Sequence, residues 1–183
     1  MRVVPSAGHT LLSVLIRPMT ELDLGEVLVI ERTSFSNPWT DVMFLAELRE
    51  NPFARFLVAA RDDSILGYIG GWVIVDELHL LNLAVRPDSR RRGMAGQLVD
   101  SLFRSGEGLI TTASLEVRRS NRSAIALYER FGFHQVGVRP GYYTDPLEDA
   151  LVMGWLGEDE RWRAPTENGG PRERLNPEGG GYV

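Results

Sequence analysis

The sequence contains no cysteine and no lysine, and these two absences exclude several kinds of chemistry. Without cysteine there is no disulfide bond, no thiolate zinc site and no cysteine nucleophile to carry an acyl group. Without lysine there is no Schiff-base chemistry and no P-loop lysine. All 20 basic residues are arginine, and the net charge of -5 gives no overall positive field for nucleic acid. The three histidines lack metal-ligand spacing, so we expect no metal site.

Long hydrophobic runs are also missing. No apolar stretch approaches the roughly 20 residues that a membrane span requires. Near the start of the chain, Pro5 and Gly8 interrupt any run that could resemble a signal peptide. We therefore expect a cytoplasmic protein without membrane contacts, and we expect it to be a monomer.

Composition divides the chain into three parts. Residues 157–183 contain 6 glycines, 3 prolines and ten charged residues, too little apolar surface to offset the entropy cost of ordering. We expect a disordered tail there and a flexible extension over residues 1–12. The intervening residues 13–156 are long enough to form one domain with a single hydrophobic core.

Within that domain, the hydrophobic patterns predict the element order β-αα-βββ-α-β-α-ββ. Two helices are predicted to begin at Thr20 and Thr40, with Leu22 on the apolar face of the first. A hairpin is predicted around Asp62-Asp63, and Pro87 ends the fourth strand. This order predicts an α/β (α+β) fold whose sheet is antiparallel at its start and parallel in its middle.

A strand, a basic loop and a helix start follow one another between Leu81 and Ala95. The strand ends at Leu83-Ala84-Val85, and three arginines then precede Gly93. A helix N-terminus offers free N–H groups and a positive dipole end to a phosphate, and glycine lets the backbone approach a ligand closely. The alternative is a solvated arginine run before an ordinary helix. A second glycine-rich segment, Gly67 to Gly71, lies inside a predicted strand and indicates a bulge or close packing instead.

The segment Arg90-x-x-Gly93-x-Ala95 resembles the phosphate-binding motif of the GNAT superfamily of N-acetyltransferases. The resemblance implies a mixed sheet of six to seven strands with about four flanking helices, and acetyl-coenzyme A as co-substrate. It also implies that the backbone of Leu83 and Val85 pairs with the pantetheine arm like an added strand. The coenzyme-binding residues that it implies are Leu83, Ala84, Val85, Arg90, Arg91, Arg92, Gly93, Met94, Ala95 and Asn121.

A narrower resemblance, covering roughly residues 13–156, is to the ribosomal-protein alanine N-acetyltransferases of bacteria. It rests on the string from Leu115 to Glu129, on Ile30-Glu31-Arg32 with Pro38-Trp39, and on Tyr142-Tyr143. The implied acceptor is the N-terminal alanine of small-subunit ribosomal protein eighteen, whose start is basic. Acidic side chains are expected to complement that start, namely Glu31, Asp76, Glu77, Asp145, Glu148 and Asp149.

Acetyl transfer to an α-amine needs a proton acceptor, because an α-amino group with a pKa near 8 is largely protonated at neutral pH. By resemblance Glu116, on a mainly apolar strand, is the general base and Tyr128 the general acid. Without cysteine the transfer should be direct. Tyr142 and Tyr143 either line the acceptor pocket or are aromatic residues at a strand end.

Simpler interpretations exist for each residue. Glu116 could be an exposed strand residue paired with Arg118 or Arg130, Tyr128 could only pack in the core, and Asn121 could be a helix N-cap. His79 and His134 are expected to be structural. Alternative functions are acetylation of other protein N-termini or of a small amine, and a non-catalytic acyl-coenzyme A binding module, which would need neither Glu116 nor Tyr128.

Overall fold

The structure, a computed structural model, describes residues 13–106 and 110–157. The predicted extension over residues 1–12 and the predicted tail over 157–183, apart from its first residue, Gly157, lie outside the described residues. Gly157 itself is held at the end of the last strand, where its N–H donates to the Thr111 carbonyl at 2.6 Å. Within the described part, no helix is long and apolar enough to cross a membrane.

Seven strands form one mixed sheet in the spatial order β1-β2-β3-β4-β5-β7-β6. Neighbouring strands are antiparallel except β4 and β5, which are parallel, so the predicted change of direction in the middle of the sheet is confirmed. The strands are β1 (Leu15–Pro18), β2 (Ala54–Arg61), β3 (Ser64–Ile74), β4 (Glu77–Val85), β5 (Thr112–Arg118), β6 (His134–Thr144) and β7 (Leu147–Leu156).

Four α-helices cover the two faces of this sheet, and side chains cap two of them. Thr40 accepts from the Met43 N–H at the start of the second helix, and Asn121 accepts from the Ala124 N–H at the start of the fourth. The helices are α1 (Leu24–Ser34), α2 (Asp41–Glu50), α3 (Met94–Ser105) and α4 (Arg122–Arg130).

The apolar side chains form two clusters, one on each face of the sheet. One cluster joins the sheet to α3 and α4, and the other joins β2, β3 and β4 to α1 and α2. The chain enters α1 through a short 3₁₀ turn, Glu21–Asp23, rather than directly at Thr20. Leu22 in this turn is 96% exposed, so the prediction that it faces the core is wrong.

The strands β4 and β5 diverge halfway along their length. Their parallel pairing runs from Glu77 opposite Thr112 to Leu80 opposite Leu115 and then stops. The next residue of β4, Leu81, has no partner on β3, because the register shifts there between Gly70 and Gly71. Such a bulge bends and twists its strand, which accounts for the divergence. The glycines were predicted to mark a bulge or close packing, and the structure has the bulge at Gly70 and Gly71.

Candidate active site

The gap between β4 and β5 exposes backbone groups of β4. The Arg86 N–H donates to the Leu66 carbonyl of β3, and Tyr68 lies opposite Ala84. Since alternate residues of an antiparallel strand face the same partner, the polar groups of Leu83 and Val85 point away from β3 and into the gap. The side chains of Leu83 and Val85 pack with the α3 cluster. The polar groups of Leu83 and the Val85 N–H can thus bind an extended ligand through main-chain hydrogen bonds, whereas the Val85 carbonyl already accepts from Arg90 Nε.

The loop after β4 ends at a left-handed glycine. Gly93 has φ of +78° and caps α3, and a Cβ built on it would meet no atom within 4 Å. The backbone is therefore open to solvent at the N-terminus of a 12-residue helix, which fits a phosphate group. Arg91 and Arg92 are exposed beside it.

Two residues of the same loop point elsewhere. The Arg90 guanidinium turns back onto the protein, where Nε donates to the Val85 carbonyl at 2.9 Å and Nη2 lies 3.5 Å from the Ser34 Oγ. The Met94 side chain is buried in the α3 cluster. Met94 can thus contact a ligand only through its backbone. Arg90 ties the loop to the end of β4 through its hydrogen bond to Val85.

Glu116 lies on the sheet face opposite the α3 cluster, because side chains alternate along β5 between Leu115 and Val117 in the core and Glu116 outside it. Its carboxylate is 11% exposed. Arg139 of β6 binds one oxygen at 3.0 Å, and His79 Nε2 of β4 lies 3.6 Å from the other. The expectation of an exposed Glu116 paired with Arg118 or Arg130 is therefore wrong.

His79 is the residue that sequence reasoning missed. The parallel register places it directly opposite Ser114, whose Oγ lies 3.0 Å from Nδ1, so the imidazole connects Ser114 to Glu116. Its ring also packs on Trp72, with centroids 6.0 Å apart. Only the parallel register, which sets His79 beside Ser114 and thus two positions before Glu116, brings the two side chains together, so the pairing could not be found from the sequence alone.

Tyr128 lies in α4 on the opposite side of β5, where it packs edge-on against Phe133 with ring centroids 5.7 Å apart. It is 5% exposed, and burial raises the pKa of its phenol well above the usual range, with a smaller contribution from Tyr143. No residue in the described ranges forms a hydrogen bond with its hydroxyl. The packing interpretation of Tyr128 therefore holds, and its role as general acid stays a prediction.

Asn121 is the N-cap of α4, as one interpretation predicted, since its Oδ1 accepts from the Ala124 N–H at 3.2 Å and from the Ser123 hydroxyl at 3.0 Å.

Tyr142 and Tyr143 lie near the end of β6. The Arg118 guanidinium covers the Tyr143 ring at 4.1 Å, and burial is the main reason that the pKa of Tyr143 rises to about 12. Contact of Asn121 with coenzyme and of the tyrosines with the acceptor stays a prediction.

Glu31 cannot complement a basic peptide, contrary to expectation, because it is only 1% exposed. Three neutral donors surround its carboxyl group: the Trp39 N–H at 2.9 Å, the Asn82 amide at 3.3 Å and the Tyr68 hydroxyl. Desolvation raises the pKa of Glu31 to about 7, against the opposing effect of the Trp39 N–H. Two of the other acids expected there are already paired, Glu148 with Arg118 and Asp149 with Arg119.

Comparison with known proteins identifies this arrangement. The model of the acetyltransferase (GNAT) family matches residues 24–133. A Bacillus subtilis protein, provisionally described as a ribosomal protein bS18 alanine N-acetyltransferase, is 40% identical over 150 residues, which are 79% of this chain and 96% of the relative. A Saccharolobus solfataricus N-alpha-acetyltransferase is 34% identical over 145 residues, or 72% of this chain and 86% of that protein.

A solved structure agrees with this result. The crystal structure of the ribosomal-protein-S18-alanine N-acetyltransferase from Escherichia coli superposes with a TM-score of 0.73 at 30% identity, covering 85% of this chain and 98% of that one. The predicted fold, with its seven strands and four helices, is thereby confirmed. The chain belongs to the GNAT family of acetyltransferases and is an acetyl-coenzyme A-dependent N-acetyltransferase.

Proposed function

We propose that the chain transfers the acetyl group of acetyl-coenzyme A to the N-terminal α-amine of a ribosomal protein, with the N-terminal alanine of bS18 as its preferred acceptor. The proposal rests on the relatives named for this reaction, which match over most of this chain. A second candidate is a wider range of protein N-termini, which the archaeal relative, named for N-alpha acetylation in general, favours.

In the proposed mechanism, Glu116 accepts a proton from the acceptor's ammonium group and the free amine attacks the thioester carbonyl. The bond from the carbonyl carbon to sulfur then breaks, and the Tyr128 hydroxyl donates its proton to the departing thiolate. Support comes from the placement of Glu116 next to the point where β4 and β5 separate, partly exposed and with Arg139 and His79 at its oxygens. In this mechanism the transfer is direct, and no acetyl-thioester on the enzyme can precede it because the chain has no cysteine.

The test is acetyl transfer to peptides with different N-terminal residues, read by mass spectrometry, with an N-blocked peptide bearing an internal lysine as control. We expect a peptide with the bS18 start to react fastest. In Glu116→Gln and Tyr128→Phe, turnover should fall by about 10²–10⁴-fold with little change in coenzyme affinity. Glu129→Gln is the matched control, since Glu129 is exposed on the same helix as Tyr128.

Two results would count against the proposal. If both folded variants turn over like wild type, the assigned proton carriers are wrong. If a peptide with another first residue reacts fastest, the second candidate is correct.

A further inference from the structure

Arg118 lies two residues after Glu116 on β5 and therefore on the same face of the sheet. Helices α1 and α2 cover this face over β2, β3 and β4 only. The part of the face that carries Glu116 lies beyond these two helices, and in the proposed function it is the acceptor groove. Its sides are the loop between α1 and α2 and the hairpin formed by β6 and β7.

Arg118 connects these two sides at one end of the groove. Its Nη2 donates to the Ser36 Oγ of the α1–α2 loop at 3.1 Å and to the Asp145 carbonyl in the β6–β7 turn at 2.7 Å. Its Nη1 donates to the Pro146 carbonyl at 3.1 Å. The Ser36 hydroxyl in turn donates to the Asp145 carbonyl, so the two loops also contact each other directly.

Further contacts hold the guanidinium in place from the other directions. Glu148 binds Nη1 at 3.2 Å through one carboxylate oxygen and accepts from the Ser120 N–H at 2.6 Å through the other. Tyr143 stacks beneath the guanidinium at 4.1 Å. The planar fork of arginine can serve all of these acceptors at once, whereas the ammonium group of lysine cannot.

We propose that Arg118 is a positioning residue whose contacts with Ser36, Asp145 and Pro146, here called the clasp, close the end of the acceptor groove beside Glu116. The clasp holds the two loops at the spacing that the acceptor requires. It takes no part in the proton transfers. The inference rests on the proposed function in so far as the groove binds the acceptor.

The decisive variant is Arg118→Lys, which keeps the charge and removes the fork. We expect the acceptor KM to rise on the order of tenfold or more, because charged hydrogen bonds that preorganise the groove are lost. The kcat and the coenzyme Kd should change little. Ser36→Ala should act in the same direction, and the double variant should lose less than the product of the two single effects. Arg119→Lys is the matched control, because Arg119 is an exposed neighbour with one long ion pair to Asp149.

Amide hydrogen exchange provides a readout that does not require activity. In Arg118→Lys, exchange should accelerate in residues 35–40 and 144–148 and stay unchanged elsewhere. Faster exchange throughout the chain, or an unchanged acceptor KM, would overturn the clasp. If the wild type acetylates no peptide, the proposed function fails, whereas unchanged exchange in the two loops overturns the clasp alone.

Discussion

Replacing Glu31 by glutamine should remove the part of the pH dependence of stability between pH 4.5 and 7 that this one carboxyl group causes. Glu31 is 1% exposed and has no cationic partner among the described residues. Desolvation raises its pKa from the ordinary 4.5 to about 7, so the folded chain binds this proton more tightly than the unfolded chain does. Each pKa unit corresponds to about 1.4 kcal/mol, and the difference therefore amounts to about 3 kcal/mol.

Proton binding determines whether stability rises or falls with pH. Below pH 4.5 Glu31 is protonated in both states and its stabilising contribution is complete. As the pH rises to about 7, the unfolded state releases the proton first, and the contribution is lost. The free energy of unfolding of the wild type should thus fall by up to about 3 kcal/mol across this window through this one group.

Urea denaturation at pH 5, 6, 7 and 8 measures the effect in wild type and in Glu31→Gln. The difference between the two free energies of unfolding should change by about 2–3 kcal/mol over that range, since contributions of all other groups cancel in it. Glu50→Gln, an exposed exchange in α2, should show a constant difference. A constant difference for Glu31→Gln, with equal m-values, would refute the reasoning.

Two other predictions concern the phosphate loop and the entry to α1. Gly93→Val should strongly weaken acetyl-coenzyme A binding in calorimetry, because valine disfavours the φ of +78° and would fill the open space before α3, whereas Gly96→Ala should bind normally. Unchanged coenzyme affinity in folded Gly93→Val would show that the loop does not bind the phosphates. Asp23→Asn should lower the free energy of unfolding at pH 7 by about 2 kcal/mol, because the Arg17 guanidinium lowers the pKa of Asp23 from 3.8 to about 2. This contribution is complete above pH 3.8 and disappears as the pH falls through 2, so the two stabilities should converge in acid; a gap that persists there would contradict the assignment.

The sequence contained enough information to predict the element order and the course of the chain from β4 through the arginine-rich loop to α3, because both depend on local signals. Pro87 and Gly93 mark where the strand ends and the helix begins, and their conformations follow from their own covalent structure. The alternation of Leu115, Glu116 and Val117 likewise predicts that Glu116 leaves the core, since strand side chains alternate. The partners of Glu116 were not predictable, because Arg139 and His79 reach it through pairings between strands distant in sequence.

The bulge at Leu81 shows why the environment of Glu31 could not be predicted. Strict alternation along β4 would place Asn82 on the same side as Leu80, in the α3 cluster. The extra residue reverses the alternation, so Asn82 faces α1 instead and its amide reaches Glu31. The glycines opposite indicated a bulge, but its exact position depends on the pairing of β3 with β4. As long as the position of the bulge is unknown, the sequence gives no reason to place Glu31 in the core.

Glu31 and Glu116 both lie on this side of the sheet, but they differ in what surrounds them, and the difference bears on which of them can meet an amine. Glu31 lies where α1 and α2 cover the sheet, and its three donors are neutral groups of the protein itself. Glu116 lies where the helices no longer cover the sheet, beside the gap, with a guanidinium from the exposed side chain of Arg139 on one oxygen. A cationic acceptor can replace an exposed cation on Glu116 without leaving a buried charge unpaired, whereas on Glu31 it would have to displace the packed core. This contrast supports the proposed role of Glu116 as the proton acceptor and speaks against such a role for Glu31.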